Sequence, residues 1–163
     1  MRKLLWMAGL TLALCGCAPT FRVAAPERDQ EAKRFKAPKD GSTLYVFRDE
    51  TMGFAVRMVV TLDGRILGET GAHSFLTAPI APGVHEVASK TENDERMTFT
   101  SEPGKNVYVW QEVKMGVWSA RSKLSLVDEP SAMERIKACA LHESELPPPA
   151  PVAAAPAPVV PGS

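Results

Sequence analysis

Apolar and polar residues alternate in short runs through the middle of this 163-residue chain. Turns rich in glycine and proline separate these runs at intervals of about eight to twelve residues, and most runs contain β-branched or aromatic residues. The pattern predicts an all-β fold, a small antiparallel β-sandwich of about seven or eight strands over residues 41–128. The predicted strands are 43–48, 55–63, 65–68, 73–80, 85–90, 96–100, 107–113 and 122–126.

Four features of the sequence refine this prediction. Residues 43–48 have no polar residue in their middle, which is typical of a central strand covered on both faces. The turn dipeptide Asp63-Gly64 predicts a hairpin. Pro79 cannot donate a hydrogen bond to a neighbouring strand and therefore indicates an edge strand. His85 follows a Pro-Gly turn, where we expect its ring to hydrogen-bond loop carbonyls.

Hydrophobic spacing changes to that of a helix in the C-terminal part, where Met133, Ile136 and Ala140 form one stripe. A proline stands at the favoured first position, so we expect a C-terminal helix over residues 129–145 that packs on the sheet. The composition then changes to proline, alanine and valine, which cannot build a core. Residues 146–163 are therefore predicted to be a disordered tail.

The N-terminus has the plan of a secretory signal peptide, with two basic residues, an apolar run over 4–14 and small residues after it. The run is shorter than the roughly 20 residues that a membrane span needs. The Leu14-Cys15-Gly16-Cys17 stretch resembles the cleavage site of bacterial lipoproteins, with an aliphatic residue three positions before the modified cysteine and a small residue directly before it. This resemblance implies a signal peptide of residues 1–16 and lipid attachment at Cys17. A conventional signal peptide that leaves Cys17 as a plain thiol is the alternative.

The residues after Cys17 bear on where the chain is sorted and how it is held. In lipoproteins of double-membraned bacteria, an aspartate after the modified cysteine retains the protein in the inner membrane, so Ala18 implies the outer membrane by the same resemblance. Residues 17–40 contain three prolines and mixed charges. We expect them to form a lipidated N-terminus and a tether to the domain. A short helix over residues 27–35, with Phe35 docked on the domain, is compatible with this interpretation.

Charge and cysteine content narrow the classes of partner. The chain has 19 basic and 19 acidic residues, and loss of the signal peptide leaves 17 basic ones. No basic cluster accompanies this balance, so we expect no nucleic acid partner. The expected partner is the membrane, through the lipid anchor, and an envelope protein or glycan is a further candidate. Of the three cysteines, only Cys139 stays unmodified in the mature chain. It is a buried apolar residue, a thiol paired with another chain or a reactive thiol.

Few residues combine into candidate catalytic or metal sites. The three histidines, at positions 73, 85 and 142, lack the spacing of metal ligands, and the sequence contains no nucleophile elbow or glycine-rich phosphate loop. We therefore predict no cofactor, no metal and no enzymatic activity. Cys139 and His142 stand at i and i+3 of the predicted helix, where they would supply two metal ligands or form a base-activated thiolate. An envelope enzyme or thiol-dependent factor is the competing hypothesis.

Aromatic residues supply a candidate binding surface. Tyr108 and Trp110 share one face of a predicted strand, and packing in a core explains such pairs. Trp118 lies in the stretch 115–118, which is typical of a hairpin tip. If it is exposed, Trp118 marks a contact site for a protein, a glycan or a lipid surface.

Several short motifs follow one another in a recognisable order, namely residues 44–48, Leu62-Asp63-Gly64, residues 81–85 and residues 104–110. This order, over residues 39–127, resembles that of a bacterial family of small predicted lipoproteins catalogued as a domain of unknown function. Similar Asp-Gly and Pro-Gly-x-His turn motifs occur in the surface-module family named after its Pro-Glu-Gly-Ala motif. Either resemblance implies a small β-sandwich, and neither brings catalytic residues. We expect a periplasm-facing binding or structural module anchored in the outer membrane, with a subunit of a larger envelope complex as a further alternative.

Overall fold

The computed structural model of the chain describes residues 22–116 and 120–146, which form two stacked β-sheets with two helices. This confirms the predicted all-β sandwich with a C-terminal helix. The elements in chain order are α1 (Pro26–Ala32), β1 (Ser42–Arg48), β2 (Met58–Leu62), β3 (Arg65–Thr70), β4 (Ser74–Ile80), β5 (Gly83–Lys90), β6 (Asp94–Ser101), β7 (Val107–Met115), β8 (Ala120–Leu126), α2 (Glu129–Ile136) and β9 (Ala140–Leu141). Within these residues, neither helix has the length and apolar character needed to cross a bilayer.

Strand β1 lies at the centre of the first sheet, whose order is β8-β7-β1-β4-β9, and the second sheet has the order β3-β2-β5-β6. Leu44 and Val46 of β1 belong to the core between the sheets. Tyr45 and Phe47 belong to a second core, on the outer face of the first sheet, which the helices cover. Both faces of β1 are therefore buried, which explains the unbroken apolar run in its sequence.

Polar side chains also link the two sheets inside the sandwich. Gln111 of β7 is fully buried, and its Nε2 donates to Ser89 Oγ of β5 at 2.6 Å. Thr70 of β3 donates to the Gln111 carbonyl oxygen. Because an unpaired polar group inside a core is costly, these bonds favour one alignment of the sheets over others.

The segment predicted as a tether is folded from residue 22 onward. Val23 forms a β-bridge with His142, and the Ala24 amide donates to the Leu141 carbonyl at 2.8 Å. Helix α1 follows, and Phe35 packs its ring 5.5 Å from that of Tyr45. The tether prediction over residues 17–40 is therefore wrong from residue 22 through Phe35, because buried apolar residues lie among the surface charges that suggested a spacer. The compatible alternative, a short helix with Phe35 docked, is found.

The C-terminal helix is shorter than the predicted range 129–145. Asp128 caps α2 by accepting from the Ser131 amide at 3.0 Å, and the helix ends at Ile136. After the helix, Cys139 and Leu141 are buried and Ala140 between them is less so, which is the alternation of a strand. Ala140 therefore lies in strand β9 beside β4 and not on the predicted helical stripe.

Predictions about the strands have mixed outcomes. The predicted antiparallel arrangement is wrong for two pairs, because β1 pairs with β7, and β4 with β9, in parallel. The Asp63-Gly64 hairpin between β2 and β3 is confirmed. Strand β4 is not the edge strand that Pro79 indicated, because it lies between β1 and β9. Strand β9 pairs with only the first two residues of β4, so Pro79 itself lies beyond that pairing. Strand β2 begins at residue 58 rather than 55, because residues 49–57 form a loop.

We expect Phe35→Ala to lower the free energy of unfolding by about 3 kcal/mol, because it removes a buried aromatic ring from the outer core. Urea denaturation checks this. Val84→Ala, at a residue that is 70% exposed, is the control and should change stability by less than about 0.5 kcal/mol. Equal effects of the two substitutions would show that the Phe35 ring contributes nothing to the stability of the domain.

Candidate functional site

The loop over residues 49–57, here called the apical loop, is organised around a buried cation. Arg48, at the end of β1, has no solvent exposure. Its guanidinium donates to the carbonyls of Met52 at 2.7 Å, Gly53 at 2.6 Å and Val56 at 2.7 Å. Burial lowers the pKa of Arg48, and the charge of Glu50 opposes that effect. The three carbonyls replace water at the two terminal nitrogens, whereas the buried Nε has no such partner within the described residues. Loop conformation and arginine burial therefore depend on each other.

The two residues after Arg48 fasten the loop to other elements. The Asp49 carboxylate accepts two hydrogen bonds of 2.7 Å from Arg135 of α2. Burial raises the pKa of Asp49, but the hydrogen bonds and charge of Arg135 outweigh burial and leave the pKa lowered. The Arg135 guanidinium lies 4.0 Å from the ring centroid of Trp110. Glu50 accepts from the Val113 amide of β7 at 2.7 Å.

Two further constraints complete the loop. Thr51 Oγ1 lies 2.9 Å from His73 Nε2, in the connection between β3 and β4. Gly53 has a φ of 62°, and a Cβ there would lie 3.3 Å from both the Arg48 Nη2 and the Val113 Cγ1 atoms. A side chain at this position would be strained and crowded, so the loop needs glycine here.

The apical loop exposes large hydrophobic side chains although it is fixed from several sides. Met52 is 53% exposed, Phe54 78% and Met115, at the end of β7, 82%. Because β1 and β7 run parallel, their C-terminal ends lie at the same end of the sandwich. These three side chains are called the apical surface. Trp118, the contact residue predicted from sequence, and Cys17, the predicted lipid site, lie outside the described residues.

Sequence reasoning missed Met52 and Phe54, which precede the predicted second strand and were assigned to no element. The available signal was Gly53 between two large apolar residues, shortly after the three consecutive charged residues 48–50. That pattern indicates a loop rather than an alternating strand.

Cys139 and His142 do not form the predicted pair on one helix, because α2 ends before both of them. Burial, followed by the charge of Asp49, raises the pKa of the Cys139 thiol to about 11. Burial also lowers the pKa of His142, whose Nδ1 lies 3.0 Å from the Glu69 carbonyl oxygen. The surroundings of Cys139 therefore favour a protonated thiol over the reactive thiolate. No group of three potential metal ligands occurs within residues 22–116 and 120–146.

His85 makes the predicted bond to a loop carbonyl at the end of the sandwich opposite the apical loop. Its Nε2 lies 2.8 Å from the Ala81 carbonyl oxygen and its Nδ1 2.7 Å from Asp63 Oδ2. Burial lowers the pKa of His85, but the bonds to Asp63 and Ala81 outweigh burial and leave the pKa raised. Both ring nitrogens face acceptors, so the imidazolium form satisfies the site best.

The predicted aromatic pair on β7 serves mainly to pack the outer core. Tyr108 is buried and its ring centroid lies 5.1 Å from that of Tyr45. Burial raises the pKa of Tyr108 to about 12. Trp110 packs beneath Arg135, so neither side chain is free to form an aromatic binding face.

No family model and no solved structure matches this chain. An uncharacterized protein of Haemophilus influenzae is 30% identical over 130 residues, which cover 78% of this chain and 77% of that protein. A match over more than three quarters of both chains indicates a shared fold rather than a shared short motif. The name of the Haemophilus protein assigns no activity, so the similarity brings no function with it.

We expect Arg48→Met to release the apical loop while the sheets stay folded. The substitution removes the guanidinium from three carbonyls and should lower stability by about 3 kcal/mol. Hydrogen exchange at the Val56 amide, which donates to the Gly53 carbonyl at 2.8 Å, should accelerate selectively. Arg96→Met, at an exposed arginine paired with Glu86, is the matched control. Unchanged protection of Val56 in the Arg48 variant would contradict the role assigned to Arg48.

We expect His85→Gln to cost more stability near pH 5.5 than near pH 9. Because the pKa of His85 is raised in the folded state, protonated His85 stabilises the fold. This stabilisation is fully present below the unfolded pKa of about 6.5 and is lost as the pH rises through the folded pKa. Because the pKa of Asp63 is lowered in the folded state, ionised Asp63 stabilises the fold above about pH 4. This stabilisation is lost as the pH falls through the folded pKa of Asp63. The difference should stay within about 1 kcal/mol, because Asp63 is half exposed. Urea denaturation at both pH values tests this, and an equal loss at both would refute it.

Proposed function

We propose that this chain, which belongs to the same protein family as the uncharacterized Haemophilus influenzae protein, is a lipoprotein anchored in the outer membrane through Cys17. Its β-sandwich faces the periplasm and acts as a binding module of the cell envelope. The contact surface of the module is the apical surface, formed by Met52, Phe54 and Met115.

One observation carries the assignment of this surface. The apical loop is held by Arg48, Asp49 and Glu50, each through a different element, and it still presents Phe54 to solvent. A loop fixed in this way loses little conformational entropy when it binds, and rigid exposed hydrophobic residues are typical of interaction sites. A purely structural loop would gain nothing from this exposure.

The anchor is supported by the Leu14-Cys15-Gly16-Cys17 stretch. The short separation in sequence between Cys17 and the fold is compatible with it. The first described residue, Arg22, stands only five residues after Cys17. An acyl anchor on Cys17 would therefore hold the domain at close range to the membrane, and two or more acyl chains make such attachment stable.

A thiol-dependent activity has less support. The Cys139 thiol is buried and its pKa is raised to about 11, which opposes use of the thiol as a nucleophile near neutral pH. We therefore assign a binding role and no reaction.

A photoreactive amino acid at position 54 tests the proposal in cells. We expect covalent adducts with envelope components from position 54 and none above background from position 84. Position 84 is a comparably exposed apolar position at the opposite end of the sandwich. Absence of adducts at position 54, or equal yields from both positions, would contradict the proposed surface.

The same cells test the anchor. We expect the mature chain to begin at an acylated Cys17, by mass spectrometry, and to fractionate with the outer membrane. Cys17→Ser should abolish acylation of the chain and its retention in the membrane fraction. A water-soluble wild-type product that begins at another residue would refute the anchor and leave the surface to be judged by the crosslinks.

A further inference from the structure

A cavity lies at the end of the sandwich opposite the apical loop. Strands β1 and β4 run antiparallel, with Arg48 opposite Ser74 at the apical end and Ser42 opposite Ile80 at the other end. The cavity beside Ile80 has a volume of about 260 Å³ and is here called the basal cavity. Its apolar lining consists of Leu62, Ala78, Pro79, Ile80, Ala81 and Leu146. Three of these residues belong to the core between the sheets, so the basal cavity is the open mouth of that core.

Arg65 places a cation on the core-facing side of this mouth. It lies directly opposite Leu62 in the hairpin of β2 and β3, and residues directly opposite each other in an antiparallel pair share one face of the sheet. Leu67, two positions further along β3, is fully buried in the core, which agrees with this direction. The Arg65 side chain lines the cavity and has no ion pair or hydrogen bond within the described part of the chain. Its positive charge is therefore available to a ligand.

Asp63 and His85, the other polar side chains that line the cavity, are paired with each other and hold its walls in place. Asp63 accepts from the Glu86 amide at 2.9 Å, and its Oδ2 lies 2.7 Å from His85 Nδ1. His85 Nε2 lies 2.8 Å from the Ala81 carbonyl oxygen, to which Ser101 Oγ also donates at 2.6 Å. His85 thus connects the turn after β2 with the turn after β4. Because these walls are fixed before a ligand enters, binding costs little ordering of the chain.

Apolar cavities with a few fixed polar groups are typical of small-ligand sites, and the mouth of a β-barrel is one common location. A guanidinium without a partner fits a carboxylate, which it binds through two parallel hydrogen bonds. The volume lies below the roughly 300–1,000 Å³ of sites for drug-sized ligands, so a smaller ligand fits. We propose that the basal cavity binds a small monocarboxylate with a short apolar chain. Arg65 holds the carboxylate, and the apolar chain lies against Leu62, Ile80 and Leu146.

Octanoate has this chemistry and serves as the probe, and octanol is its uncharged counterpart. The experiment uses residues 17–163 with Cys17→Ser, which keeps every described residue and removes the proposed site of acylation. Amide chemical shifts, measured by nuclear magnetic resonance, follow each titration. We expect saturable changes at Arg65 and Ile80 with octanoate. Octanol should bind at least about tenfold more weakly, because it lacks the charge-assisted hydrogen bonds.

Arg65→Gln separates the contribution of the charge from that of the apolar walls. We expect it to weaken octanoate binding at least about tenfold and to leave octanol binding unchanged, since only the carboxylate loses its partner. Arg121→Gln is the matched control, at an exposed arginine of β8 near the apical end, and should change neither affinity. Both arginines are exposed, so the fold should tolerate the substitutions.

Several results would overturn the proposed ligand site. One is the absence of saturable changes with octanoate up to about 10 mM, and another is equal weakening by Arg65→Gln and Arg121→Gln. Changes at Phe54 and Met115 without changes at Arg65 would place the ligand at the apical surface and also overturn it. Binding only after removal of residues 147–163 would show that the chain itself fills the cavity, with the same consequence. The crosslinking test of the apical surface is independent of these outcomes, because the two sites lie at opposite ends of the sandwich.

Discussion

The buried guanidinium of Arg48 is the constraint on which the apical end of the molecule depends. A cation without solvent at the end of the central strand is tolerated only if other dipoles replace water, and three loop carbonyls do so. The loop must therefore fold back over the strand, with glycine at position 53. This arrangement turns Met52 and Phe54 outward, so the exposed hydrophobic surface is a consequence of the buried charge.

The apical loop and both ends of the folded chain pack around the first sheet. Asp49 binds Arg135 of α2, while Phe35 covers Tyr45 on the same face. Residues 22–24 and 141–143 close the edge beside β4. The N-terminal segment is thus part of the domain, and a lipid on Cys17 would hold that domain directly at a membrane surface.

Local patterns predicted the features that depend on neighbouring residues. The apolar run in β1, the Asp63-Gly64 hairpin and the bond from His85 to the Ala81 carbonyl all follow from a few adjacent positions. The errors concern contacts over long distances in sequence. Asp29 accepts from the Leu141 amide across 112 residues, and no local pattern reports such pairing.

Arg48 illustrates the same limit at the candidate site. A charged residue at the end of a predicted strand suggests solvent exposure, because arginines are seldom fully buried. Its burial follows from packing between the loop and β7, which sequence periodicity does not encode. Phe54 was missed for a different reason: its local pattern indicated a loop, but apolar residues are ordinarily expected inside.

The central claim is that the apical loop is rigid and presents its hydrophobic side chains in one conformation. Backbone amide order parameters of residues 50–57, measured by nuclear magnetic resonance relaxation, test it most directly. The account predicts values near 0.85, the level of a rigid backbone, as in the neighbouring strand β1. Values below about 0.6 in this loop, with β1 remaining rigid, would contradict the account.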